Sequence, residues 1–191
     1  MGFAFLLLLL SVPLTGGRLA RLAGVQVRLT WLIVLALVVQ IVMTTVLVQA
    51  PRPLLIGLHG LSYALIGWAL WANRALPGLL LVAAGGGTNA AVIALNGGTL
   101  PASASALERA GLAVDTREFE NSGVVADPVL AWLGDIAATP AFLPFRNVIS
   151  IGDVVVLLGA ALMLHATCRT SLYVALTGRL RPGSRVEPAN A

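Results

Sequence analysis

Five apolar segments occupy most of the sequence, and they restrict the chain to folds that keep long hydrophobic helices away from water. The segments are residues 2–19, 31–48, 54–71, 77–95 and 148–166. A helix needs about 20 mostly apolar residues to cross the hydrocarbon core of a bilayer. The chain is 10% charged, against about 25% in soluble domains. We therefore predict an all-α, polytopic membrane protein with five transmembrane helices. Its single membrane-embedded domain would cover residues 1–180, with a disordered tail over residues 181–191.

The distribution of arginine predicts the orientation of these helices. With the N-terminus outside, the cytoplasmic side collects Arg18, Arg21, Arg28, Arg74, Arg169, Arg179, Arg181 and Arg185, and the outer side has Arg52, Arg109, Arg117 and Arg146. Basic residues concentrate on the cytoplasmic side of membrane proteins. We therefore expect the N-terminus outside and the C-terminus in the cytoplasm. A cleaved signal peptide is the alternative for the first segment, although that segment has no basic residues before its apolar run.

The connections between the apolar segments predict short helices at both membrane surfaces. The long connection over residues 97–147 faces out in this topology, and Ser105–Leu112 and Pro128–Ile136 fit short interfacial helices. On the inner side, leucines and valines recur at helical spacing between Arg18 and Leu29, which is typical of a helix lying in the interface. Pro51-Arg52-Pro53 predicts a tight turn, because a proline interrupts a helix interior.

Glycines within the apolar segments indicate where helices approach one another. Gly57, Gly60 and Gly67 give the third span small residues for close packing. In the fourth span, Gly85–Gly87 allow either very close packing or a local break that frees backbone groups.

Polar residues gather at the predicted outer ends of the fourth and fifth spans. A carboxylate inside a span costs at least about 2.5–3.5 kcal/mol on insertion scales, so it must be paired, neutralised or wetted. Asp153 is such a residue, and Asn147 and Ser150 precede it at intervals of three on the same helical face. We predict one polar, ligand-binding pocket lined by Asn89, Asn96, Asp135, Asn147, Ser150 and Asp153. The alternative is that Asp153 satisfies amides at the start of its helix, with Arg146 as a further partner.

Two Gly-Asp pairs, Gly134-Asp135 and Gly152-Asp153, raise the alternative of a membrane-embedded enzyme. Two carboxylates that share a proton can activate water, as in aspartyl proteases. The Gly-x-Gly-Asp signature of intramembrane aspartyl proteases is absent, however, and we assign no catalytic residue. The sequence also has no metal-ligand spacing and no nucleotide loop, so we predict no metal and no cofactor. The net charge of +4 is spread over short loops and does not indicate nucleic-acid binding.

Several short motifs resemble a bacterial family of small integral membrane proteins, the DUF5317 family, whose function is unknown. The motifs are Gly16-Gly17-Arg18-Leu19 with Leu22, Asn96-Gly97-Gly98 with Pro101, Leu133-Gly134-Asp135, and Ile149-Ser150-Ile151-Gly152-Asp153. One departure is Leu100, where the family pattern leads us to expect methionine. The resemblance implies a multi-pass protein of the bacterial inner (plasma) membrane, and it supplies no activity or catalytic residue.

These observations favour a non-enzymatic binding or transport-type membrane protein with a polar pocket at its outer side. Its expected partners are the lipid bilayer and a small-molecule or lipid ligand. The alternatives are an enzyme acting on a lipid or peptide through Asp135 and Asp153, and a scaffold subunit that binds another membrane protein.

Overall fold

The computed structural model describes residues 2–112, 122–140 and 146–178, and the chain is mostly helical. The α-helices are α1 (Gly2–Leu14), α2 (Thr30–Thr45), α3 (Arg52–Ala72), α4 (Leu79–Leu95), α5 (Ala104–Ala110), α6 (Ile151–Cys168) and α7 (Ser171–Thr177). The strands are β1 (Leu100–Pro101), β2 (Ser122–Gly123), β3 (Asp135–Ala138) and β4 (Val148–Ser150), and 3₁₀ helices cover Leu19–Gly24 and Ala131–Leu133. The tail predicted over residues 181–191 lies outside the described residues.

Two of the described helices, α3 and α6, are long and apolar enough to cross a membrane. The apolar helices α1, α2 and α4 are shorter, and the 13 residues of α1 extend only about 20 Å at 1.5 Å per residue. The first predicted span is therefore too long, because the chain leaves the helix after Leu14 and turns at Gly16, whose φ is +72°. The helices neighbour one another in the order α2, α3, α4, α6 and α1.

Helices α4 and α6 are antiparallel and meet along a seam of glycines. A Cβ added to Gly85 would lie 2.4 Å from the Gly152 carbonyl oxygen, and one added to Gly159 would lie 2.7 Å from the Gly78 carbonyl oxygen. These are backbone atoms, so no side-chain adjustment could relieve the overlap. Helix α4 continues through Gly85–Gly87 without a break. Of the two interpretations of this glycine run, close packing is confirmed and the local break is wrong.

The glycines of α3 have a different environment from the one we predicted. No described atom outside the local helix backbone lies within 4 Å of a Cβ built on Gly57, Gly60 or Gly67. Their predicted role in close helix packing is therefore wrong within the described part of the chain. The tight turn at Pro51-Arg52-Pro53 is also wrong in part. Pro53 lies in the first turn of α3, where a missing N–H removes no helical hydrogen bond.

The long connection between α4 and α6, called the outer connection after the side predicted for it, contains two small sheets in place of the purely helical segments that we expected. Strands β1 and β2 are parallel, β3 and β4 are antiparallel, and a bridge between Ala102 and Asp135 joins the two sheets. The helix predicted over Pro128–Ile136 is mostly wrong, because only a 3₁₀ turn at Ala131–Leu133 is helical and β3 begins at Asp135. The predicted fifth span begins too early, because Val148–Ser150 forms β4. Short apolar runs rich in β-branched residues do not distinguish a strand from a helix by periodicity alone.

A small apolar core holds the outer connection together. It comprises buried side chains of α5 and its neighbours: Ala102, Ala106, Leu107, Ala110 and Val148. Helix α5 confirms the short helix predicted for this region, shifted by one or two residues, and it ends at Gly111, whose φ is +64°. Because Val148 of β4 belongs to this core, the connection is fixed to the start of α6.

Candidate functional site

The start of α6 carries a capping box formed by Ser150 and Asp153. The Ser150 hydroxyl oxygen accepts a hydrogen bond from the Asp153 backbone N–H at 3.0 Å, and Asp153 Oδ2 accepts one from the Ser150 backbone N–H at 3.1 Å. This arrangement satisfies amides that a helix start leaves without intrahelical partners. The negative charge also lies at the positive end of the helix dipole. Asp153 therefore satisfies amides at the start of its helix, as the alternative interpretation of the sequence proposed.

Asn89 of α4 hydrogen-bonds to Ser150 and Asp153 across the contact between α4 and α6. Its Nδ2 donates to Asp153 Oδ1 at 3.0 Å, and its Oδ1 accepts from the Ser150 hydroxyl at 3.0 Å. This approach depends on Gly152, because a Cβ there would lie 2.0 Å from Asn89 Oδ1. Asn89, Ser150 and Asp153, which we call the polar triad, therefore bind one another directly. Both carboxylate oxygens of Asp153 are used within it.

Asp135 lies beside the polar triad, on the strand that pairs with Ser150. The register of the antiparallel ladder places Asp135 opposite Ser150, so the two Gly-Asp segments meet in space. Asp135 is only 4% exposed, and the Ser122 hydroxyl donates to its Oδ2. Its Oδ1 is buried and has no hydrogen-bond partner among the described residues.

The environment of Asp135 makes its carboxyl a weaker acid. Burial raises the pKa of this carboxyl above its usual value, the hydrogen bond from Ser122 acts in the opposite direction, and the nearby charge of Asp153 raises the pKa further. A carboxylate with one unoccupied oxygen can accept a proton, a cation or a donor group of a ligand. No group of three or more His, Cys, Asp or Glu side chains suited to a metal ion occurs in the described ranges.

The other two predicted pocket residues have their hydrogen bonds elsewhere. The Asn96 side chain ends α4 and pairs with the backbone of Val129, donating to its carbonyl at 2.9 Å and accepting from its N–H at 2.8 Å. Asn147 pairs through its backbone with Thr139, at 2.8 and 2.9 Å. Arg146, considered as a partner of Asp153, instead extends toward the Gly111 carbonyl oxygen at 3.5 Å. These contacts fix the outer connection around the polar triad.

A polar contact in the middle of the helices joins α2 to α3. Gln40 Nε2 donates to the Ser62 hydroxyl at 2.6 Å, and Ser62 donates to the His59 carbonyl at 2.8 Å. The His59 ring meets Tyr63 edge-on with ring centroids 4.7 Å apart. The Gln40–Ser62 bond is therefore a side-chain hydrogen bond between two helices.

A second buried polar cluster, at the opposite end of the helices, was missed by the sequence analysis. His165 Nε2 lies 3.1 Å from Ser11 Oγ, and its Nδ1 lies 2.9 Å from Thr170 Oγ1. Ser11 donates its proton to the Leu8 carbonyl, so the pattern fits the histidine tautomer with its proton on Nε2. This cluster ties α1 to the end of α6. Ser11 lies 154 residues from His165 in the sequence, so no motif spacing could have identified the cluster.

Comparison with known proteins identifies a family and no close relative. No curated protein and no solved structure is detectably similar to this chain. A family model described as "Family of unknown function (DUF5317)" matches residues 24–165. The match covers more than half of the chain and contains both Gly-Asp pairs and the whole polar triad. The chain therefore belongs to this family of unknown function.

Proposed function

We propose that the chain is a five-span protein of the bacterial inner membrane that binds or transports a small molecule or lipid at its outer side. The N-terminus lies outside and the C-terminus in the cytoplasm. The binding site consists of Asp135 and the polar triad, and Asn96 and Asn147 hold the outer connection over it.

The exposed apolar surface of the helices supports the membrane location. Only 22% of the most apolar 18-residue stretch of α3 and 28% of that of α6 are buried inside the protein. The core helices of a soluble protein are mostly buried. Large side chains such as Leu37 and Leu80 are each 58% exposed. Apolar patches of this extent are rare on soluble monomers, whereas a bilayer covers them. The shorter helices α1, α2 and α4 pack beside α3 and α6, and local thinning of the bilayer compensates for their length.

The unpartnered oxygen of Asp135 is the observation that carries the proposed site. A buried acceptor without a partner costs about 1–3 kcal/mol. A ligand with an N–H, an O–H or a positive charge would offset that cost. The neighbouring Asp153 charge strengthens the preference for a donor or cation at this position. The ligand class is therefore a molecule with a donor group or a cationic group.

An enzyme using Asp135 and Asp153 as an acid–base pair is less well supported. A general base must reach the proton that it removes, directly or through one water. Both oxygens of Asp153 already accept hydrogen bonds within the polar triad, and Asp135 is buried. We therefore favour binding over catalysis.

Native mass spectrometry of the protein released from nanodiscs tests this proposal. Asp135→Asn changes the proposed ligand contact, and Asp127→Asn is the matched control, because Asp127 is exposed and its φ of +48° suits asparagine. We expect a bound small molecule in the wild type and in Asp127→Asn, and its loss in Asp135→Asn. Equal retention in all three proteins would contradict the site. No adduct in any folded form would instead favour the scaffold interpretation and a search for co-purifying proteins.

A further inference from the structure

A cavity of about 430 Å³ lies among the helices at the end opposite the polar triad. It is lined by the segment before α2, the start of α2, the end of α3, the start of α4 and the end of α6. The lining is mostly apolar and includes Leu22, Val27, Ile33, Ile66, Met163 and Asn73. Ligand sites usually have volumes of roughly 300–1,000 Å³ and mostly apolar linings. The volume and lining of this cavity fall within that pattern.

Asn73 is a polar residue in the lining, but its side chain is occupied by hydrogen bonds to the protein, so the interior of the cavity stays apolar. Its Oδ1 accepts from the Arg28 N–H at 2.7 Å, and its Nδ2 donates to the Arg28 carbonyl at 2.8 Å and to the Ala69 carbonyl at 2.7 Å. The side chain is thereby fully engaged in holding the interfacial segment against α3. A polar metabolite would find few groups to bind inside, whereas a hydrocarbon chain would match the lining.

Three exposed arginines lie next to residues that line the cavity. Arg21 precedes Leu22, Arg28 follows Val27, and Arg74 follows Asn73. Two of these side chains are held in place by contacts with the protein. Arg21 Nη1 donates to the Cys168 carbonyl at 3.0 Å, and the Arg74 guanidinium lies over the Trp71 ring at 4.7 Å. Positioned guanidinium groups lose less entropy when they bind a phosphate.

No acidic side chain opposes these arginines on the segments that line the cavity. The first acidic residue of the chain is Glu108, and residues 154–178 contain none. This end of the protein therefore combines an apolar cavity with an uncompensated positive rim. In the proposed topology it faces the cytoplasmic leaflet, whose anionic lipids attract basic residues.

We propose that the cavity holds an acyl chain of an anionic phospholipid whose phosphate binds Arg21, Arg28 and Arg74. The apolar lining takes the chain, and the arginines select the charge of the headgroup. This site is separate from the one proposed at the outer side, because it lies at the other end of α3, α4 and α6 and shares no residue with it.

Photo-crosslinking in nanodiscs tests the position of the lipid. The probes are phosphatidylglycerol and phosphatidylcholine, each with a diazirine in one acyl chain, diluted in unlabelled phosphatidylcholine. We expect phosphatidylglycerol to label the end of α3 and the end of α6 preferentially. Ile66→Trp, which fills the cavity, should remove this labelling. Ile56→Trp is the matched control, because Ile56 is exposed elsewhere on α3.

Substitution of arginine tests the selection of charge. Arg28→Gln should weaken the preference for phosphatidylglycerol by about fivefold, since an arginine near an anionic surface contributes about 1 kcal/mol. Arg109→Gln on the outer connection should leave it unchanged. Equal labelling by the two lipids, or labelling spread evenly over the exposed face of α2, would overturn the proposal and indicate surrounding bilayer lipid only. Arg28 is exposed, so this comparison decides the matter even if Ile66→Trp does not fold.

Discussion

Asp135 lies opposite Ser150 in the antiparallel ladder of β3 and β4, so the outer connection meets the helix bundle at this pair. Ser150 also caps α6, and its hydroxyl donates a hydrogen bond to Asn89 Oδ1 of α4. Asp135 hydrogen-bonds to Ser122 and bridges to Ala102. A change at either member of the pair therefore acts on both the loop and the helices.

The stability of the outer connection should fall as pH rises. Burial, opposed by the Ser122 hydrogen bond and reinforced by the Asp153 charge, raises the pKa of Asp135 above its ordinary value of 3.8. A carboxyl with a raised pKa in the folded state contributes stability below its unfolded pKa and loses it as pH rises through its folded pKa. The melting temperature of the wild type should therefore fall as pH rises from about 4. Asp135→Asn should remove this dependence and Asp127→Asn should retain it. An identical pH profile in all three proteins would contradict the assignment.

Gly85→Ala should destabilise the protein, and Gly86→Ala should not. The new methyl at position 85 would lie 2.4 Å from the Gly152 carbonyl oxygen, whereas a Cβ at position 86 meets nothing within 4 Å. Overpacking of a tight contact costs about 1–3 kcal/mol, while alanine in an unhindered helical position is neutral or favourable. Thermal unfolding in detergent measures both variants. Equal melting temperatures would show that the seam can open without cost.

Features of this structure that depend on neighbouring residues could be predicted from the sequence, whereas features that depend on contacts between distant segments could not. The apolar helices and the capping of α6 follow from neighbouring residues, and the sequence indicated them. The pairing of Asp135 with Ser150 depends on a strand contact between distant segments, and short apolar runs gave no sign of it. The structure brings together Asn89, Ser150 and Asp153 of the six predicted pocket residues. The same prediction included Asn96, whose side chain instead pairs with Val129.

The end of the helices opposite the polar triad was the least predictable. The apolar cavity has no sequence motif, because its walls come from five separate parts of the chain. The Ser11–His165–Thr170 cluster likewise joins residues from both ends of the described chain. Periodicity reports which face of a helix is apolar, but not which other helix covers it.

Asn89 and Asp153 should be energetically coupled. Asn89→Ala leaves Asp153 Oδ1 and the Ser150 hydroxyl without their interhelical partner, which should cost about 1–3 kcal/mol. A double-mutant cycle with Asp153→Asn should give an interaction energy well above that of a distant pair. Thr88→Val is the control, because Thr88 donates only to the Ala84 carbonyl of its own helix at 2.8 Å. Additive effects of Asn89→Ala and Asp153→Asn would contradict a direct contact.

Labelling of introduced cysteines should distinguish the proposed five-span topology from one with fewer spans. Cys168 is fully buried and should remain unlabelled by a membrane-impermeant maleimide, so the wild type provides the background. Gln49→Cys and Val124→Cys should label from the outside of intact cells, because both lie in connections that face out. Gln26→Cys, Ala75→Cys and Leu176→Cys should label only after the membrane is opened, because an odd number of spans separates each from the outer connections. Labelling of Gln26→Cys in intact cells would mean that α1 or α2 does not cross the bilayer, and labelling of Leu176→Cys would exclude α6 as a span.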